Sequence, residues 1–196
     1  MNEIQLIRQQ LAAERQHASA VANACSSALG RAESKAVALG SPLAEFRQAC
    51  VDYLVCVLAW FEERDQRLAE LWHARLPRMD SARRAVDEAL ARHGRSREAL
   101  EKLEAALAAT GAASAQRGLQ KSWQEFAQFF NSVWSARRDA IDDELARHAS
   151  TADWRLVGGI DADSILEERR RYARVRQTLP AGESLPLPEP AREPSP

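Results

Sequence analysis

Glycine is scarce in this chain, eight in 196 residues, and β-branched side chains are few. A sheet-rich fold draws on those β-branched residues and is disfavoured. An excess charge of one sign is missing too. The 27 basic and 28 acidic residues leave a net charge of −1, so no global field draws the chain to nucleic acid or to an anionic membrane. Long apolar runs are absent. The longest, Tyr53 to Phe61, has nine residues, well short of the roughly 20 that span a bilayer as a helix. The opening residues Met1 to Gln5 lack the apolar stretch of a signal peptide. Cysteine is sparse and odd in number: Cys25, Cys50 and Cys56 form neither a Cys-x-x-Cys motif nor a zinc spacing. Reduced thiols used for packing are the expectation. No glycine-rich phosphate loop exists either. These absences predict a soluble, cytoplasmic chain without a nucleic-acid or membrane partner.

What is present forms helix. Ala, Leu, Arg and Glu dominate, and all favour it. A first helix is expected over 3–30, where Ile4, Ile7, Leu11, Ala18, Val21, Cys25 and Ala28 recur at three- and four-residue steps. Gly30, or Gly40 with Pro42, breaks it; Ser41 then suits a cap and Pro42 a first helical turn. The second helix, 42–76, carries the widest apolar face, with Phe46, Cys50, Leu54, Val57, Phe61, Leu68 and Trp72, and Pro77 ends it. Asp80 or Ser81 caps a third, 81–109, bearing Val86, Leu90, His93, Leu100 and Leu103 inward. After Gly111 a fourth starts between Ser114 and Gly118 and runs to 149, with Leu119, Trp123, Phe126, Phe130, Val133 and Trp134 inward. Four amphipathic helices on short connections predict an all-α, up-down-up-down four-helix bundle over residues 1–154.

Beyond it, Gly158-Gly159 marks a break. Asp163 or Ser164 with Glu167 reads as a capping signal for a short fifth helix, within 155–179, that docks through Ile165, Tyr172 and Val175. The run Arg169-Arg170-Arg171, preceded by Glu167 and Glu168, reads as a solvated or internally paired face. From Pro180 onward six of seventeen residues are proline, which predicts a disordered, extended tail over 180–196.

Four histidines are the sparse chemistry-bearing residues. Levels along the helices follow from counting out of each turn at ~1.5 Å per residue. Only His17 and His93 then share a level, with Glu62, Glu63, Arg64, Trp134, Arg137 and Arg138, while His73 and His148 fall toward the other end. The simplest reading is a polar layer, with Glu62, Arg97, Trp134 and Arg138 among its members and both histidines hydrogen-bonded inside the core. Cys25 and Cys50 also come out at similar levels of the first two helices.

The segment Ala91 to Leu100, with His93 four residues before Arg97, resembles the third helix of hemerythrin-like domains. His17 stands where such domains place a first-helix histidine, and Leu68 to Pro77 is similar to the segment closing their second helix. The resemblance covers about residues 1–150 and implies a four-helix bundle around a diiron site. That site needs about five histidines and two carboxylates, with paired ligands at i and i+4 on the second and fourth helices. This chain departs from the pattern. Its slots hold Glu63 with Arg67 and Trp134 with Arg138, and His17, His73, His93 and His148 are followed four residues later by Val21, Pro77, Arg97 and Ala152. A bulky indole and fixed cations are poor neighbours for a dication. Glu14 with His17 and Glu70 with His73 match the Glu-x-x-His pair of ferritin-like proteins, but the two pairs lie at different levels. The expectation is a bacterial-type, non-enzymatic binding or interaction protein with a degenerate metal site and no cofactor. Its partner would be another protein or a second copy. The alternative is a metal or small-ligand sensor using His17, Glu63 and His93, with iron as the metal the resemblance implies.

Overall fold

The computed structural model describes residues 3–31, 41–76, 80–109, 113–133, 149–158, 162–181 and 184–185. Among the described residues the chain is all helical, without a strand: α1 Glu3–Arg31, α2 Pro42–Arg75, α3 Ser81–Ala108, α4 Ala113–Val133, α5 Thr151–Gly158 and α6 Ala162–Gln177. None of these helices is long and apolar enough to cross a membrane.

Local chemistry accounts for the helix ends. Ser41 takes an extended conformation and its hydroxyl accepts from the Ala44 N–H at 3.3 Å, with Pro42 in the first turn where no N–H is missed. Asp80 caps α3 by accepting from the Ala82 N–H at 2.9 Å. α4 begins at Ala113, and its expected continuation from Trp134 through His148 lies outside the described residues.

Apolar periodicity does not predict the short helix α5, and the expected domain boundary at 154 falls inside it. A reciprocal cap makes it. The Ser150 N–H and hydroxyl both donate to Asp153 Oδ2 at 2.8 Å, while the Asp153 N–H donates back to Ser150 Oγ at 3.3 Å. Arg75, in the last turn of α2, adds a two-pronged contact to the same carboxylate, both bonds at 2.7 Å. Trp154 and Val157 then enter the core. Gly158, expected as a flexible break, instead closes α5 against α1: a Cβ there would overlap Cγ2 of Ile7.

α2 is the hub. It packs on α1, α3, α5 and α6, while α3 packs on α4, and α1 on α4 and α5. The pairs Glu62–Arg97, Asp65–His93 and His73–Asp87 advance along α2 as they retreat along α3, so these two helices run antiparallel. The core falls into two apolar clusters. One joins Val21, Cys25, Phe46, Leu54, Leu103, Phe126 and Phe130 with Tyr172 and Val175 of α6. The other joins Leu11, Leu68, Trp72, Val86, Trp154 and Val157. Cys25 and Cys50 meet inside the first, thiol to thiol, and burial together with the Cys25 contact pushes the Cys50 thiol well up. α6 is tied down by Arg171, whose guanidinium donates to the Asp52 carbonyl at 2.8 Å and to Glu167 at 2.6 Å. The arginine run is thus internally paired at this residue. In the segment expected to be a detached tail, Leu185 packs against the first cluster; most of 182–196 lies outside the described residues.

Candidate functional site

Between the two apolar clusters lies a polar layer. It begins with consecutive residues of α2, which point about 100° apart around the helix axis. Arg64 faces α1 and donates to Glu14 at 2.5 Å. Asp65 faces α3, where its Oδ2 meets His93 Nε2 at 2.7 Å. Asp65 and His93 are 1 % and 2 % exposed. A carboxylate only accepts, so His93 carries its proton on Nε2 and donates. One turn further along α3, Ser96 is 1 % exposed, and its hydroxyl has no hydrogen-bond partner among the described residues. A buried hydroxyl left in that state costs free energy.

His93 and Ser96 line an elongated groove of about 450 Å³ between α2 and α3. The antiparallel register orders its walls. At one end are His93, Ser96 and Arg97, facing Glu62, Glu63 and Gln66; apolar Leu58, Ala59 and Leu100 follow, and Val55 lies level with Glu101 and Glu104 at the far end. Arg97 donates to Glu62 at 3.1 Å, and Arg67 pairs with Glu63. Among the described residues no cation lies within ion-pair distance of Glu101 or Glu104. Arg97 is 61 % exposed and Glu62 27 %, so their pair belongs to the groove's rim and not, as expected, to a core layer.

His17 takes part on another side. Its ring stacks on Tyr172 of α6 at 4.6 Å and 19°, with Nδ1 3.8 Å from Glu168 Oε1. The same carboxylate oxygen accepts from the Tyr53 hydroxyl at 3.0 Å. Burial first, then the Glu168 charge, pushes the Tyr53 hydroxyl far up, and burial raises Tyr172 to about 12. Both phenols therefore remain protonated donors near neutral pH. The Tyr53 hydroxyl fastens α6 through Glu168.

No protein-family model, curated protein or solved structure matches the chain.

His17, Glu63 and His93 each have a separate partner: Glu168 with Tyr172, Arg67, and Asp65 respectively. Among the described residues no group of three or more His, Cys, Asp or Glu is placed to hold a metal ion. His73 pairs with Asp87 at the surface at 2.7 Å, and Trp134 and Arg138 lie outside the described residues. Asp65, Ser96 and Glu168 were not singled out from the sequence. A signal for Asp65 existed, because it interrupts the apolar stripe Phe61, Leu68 and Trp72 at helical spacing.

Asp65, His93 and Ser96 invite comparison with a nucleophilic triad, which needs a serine hydrogen-bonded to its base and donors for an oxyanion. Ser96 makes no bond to His93. Both residues also sit inside α3, where backbone N–H groups are already engaged in helical bonds. What the arrangement offers is binding: a buried hydroxyl, an apolar wall and acidic ends.

Proposed function

We propose that this chain is a non-enzymatic helical-bundle protein that binds a small ligand in the groove between α2 and α3. α1 to α4 would form an up-down-up-down bundle. Contacts between α1 and α2, α2 and α3, α3 and α4, and α1 and α4 support that arrangement. A hemerythrin-like origin belongs to the same proposal, with buried His93 on the third helix now held by Asp65 where a metal would have stood. The observation that carries the binding reading is the Ser96 hydroxyl, buried and unpartnered among the described residues in the wall of a groove of about 450 Å³. That volume is within the usual range for small-molecule sites, roughly 300–1,000 Å³.

The test is amide NMR of the full chain titrated with a fragment set of neutral, anionic and cationic members. Saturable shifts should gather on Val55, Ala59, Ser96 and Leu100. Ser96→Leu, which fills the groove, should remove them while the circular dichroism spectrum is kept. No saturable shift at these residues up to ~1 mM, a binding energy of only about 4 kcal/mol, would overturn the proposal.

A further inference from the structure

We infer that the ligand of the α2/α3 groove is a linear aliphatic polyamine, laid along the helices with one ammonium at each end. The inference rests on the groove being a binding site and adds the chemistry of its occupant.

Charge comes first. Four carboxylates line the groove; Arg97 and Arg67 compensate Glu62 and Glu63, and Glu101 and Glu104 leave it net negative, so an anion is repelled. Glu101 and Glu104 are three residues apart on one helical face, where like charges without a counter-ion destabilise a helix. A bound cation removes that repulsion. The spacing of the polar ends sets length. From Ser96 to Glu104 is eight residues of α3, or ~12 Å at the helical rise, about the extended length of an eight-carbon diamine. Between those ends Leu58, Ala59 and Leu100 present an apolar wall that suits methylenes and gives an inorganic dication nothing to hold. A compact metal ion is further disfavoured because no group of three metal-ligating side chains converges among the described residues.

The buried end supplies direction. An ammonium has three donors and no acceptor, and the Ser96 hydroxyl is an acceptor with no partner among the described residues. His93, its Nε2–H committed to Asp65, has Nδ1 left to accept in its neutral form. One ammonium would be held there by these two acceptors, and the other by Glu101 and Glu104.

The test titrates the full chain with 1,8-diaminooctane by calorimetry, with 1,8-octanediol as its neutral counterpart and magnesium as a simple dication. The diamine should bind saturably and octanediol at least about tenfold more weakly, a difference of about 1.4 kcal/mol. An equal concentration of magnesium should not displace the diamine. Glu101→Gln with Glu104→Gln changes two exposed residues and relieves their repulsion, so it should fold; it should weaken the diamine about tenfold. Ser96→Ala should weaken it too. Equal binding of octanediol and the diamine would overturn the polyamine and leave the groove as a ligand site. Diamine binding unchanged in the double glutamine variant would also overturn it, as non-specific. Failure of every probe, with no fragment shifts in the groove, would remove both readings.

Discussion

Replacing Asp65 with alanine removes one half of a buried hydrogen bond and leaves the other half in place. The bond is 2.7 Å long and both residues are almost fully buried. A hydrogen bond to a charged group contributes about 1.5–3 kcal/mol net, and the His93 N–H would be left buried without an acceptor. The missing carboxyl also leaves a small void, worth about 1 kcal/mol more. Together the loss should be about 3 kcal/mol, a large fraction of the roughly 5–15 kcal/mol that holds a domain folded. Asp65→Asn keeps an acceptor in place and should cost about 1 kcal/mol. The measurement is equilibrium urea unfolding followed at 222 nm, for wild type, Asp65→Ala, His93→Ala and the double variant. The double variant should be less damaged than the two singles added, with a coupling of at least about 1.5 kcal/mol. A cost below about 1 kcal/mol for Asp65→Ala, or strict additivity in the cycle, would refute the view that this pair organises the polar layer.

Two further expectations concern α5. The Asp153 carboxyl is held at about 2, chiefly by the Arg75 donors and then by Ser150, against about 3.9 in an unfolded chain. Because the folded value is depressed, its stabilisation is complete above about pH 4 and is lost as pH falls toward 2. Thermal melts should show wild type above Asp153→Asn at pH 6, with the gap closing between pH 4 and 2; a constant gap contradicts the pairing. Gly158→Ala places a Cβ into Ile7 and should cost about 1–3 kcal/mol as an overpacking change. Adding Ile7→Ala should recover part of the loss in the same urea assay, and no recovery would mean the two side chains do not collide.

Helix ends were legible wherever a cap stood beside a proline or a run of apolar residues, as at Ser41 with Pro42 and at Asp80. α5 escaped because eight residues are too few to show a period, although Ser150 and Asp153 stand three apart as a capping box requires. The site was legible in height but not in direction. Counting residues gives position along an axis, whereas each residue also turns about 100° around it. His17 and His93 come out at one level by that count, yet His17 turns to Tyr172 of α6 and His93 to Asp65 of α2. Cys25 and Cys50 share a level and do touch. The groove needed the register of two helices at once, which single-helix patterns do not contain. Glu101 and Glu104 read as solvated surface until α2 sets an apolar wall beside them.

The second apolar cluster has a consequence for how the chain is made. It unites Leu11 with Trp154 and Val157, far later in the chain, and the link is extended by Arg155 reaching back to Glu3, 152 residues earlier. The first turns of α1 leave the ribosome long before the short helix that covers them exists. Until it arrives, Ile4, Ile7 and Leu11 lack the part of their cover that Trp154 and Val157 supply, and closing so long a loop is slow. A polar layer at Glu14 and Arg64 marks where that apolar stripe stops. Ribosome-bound chains halted before Ser150 should therefore be the ones that chaperones recognise, and release of α5 is the step that ends that interval.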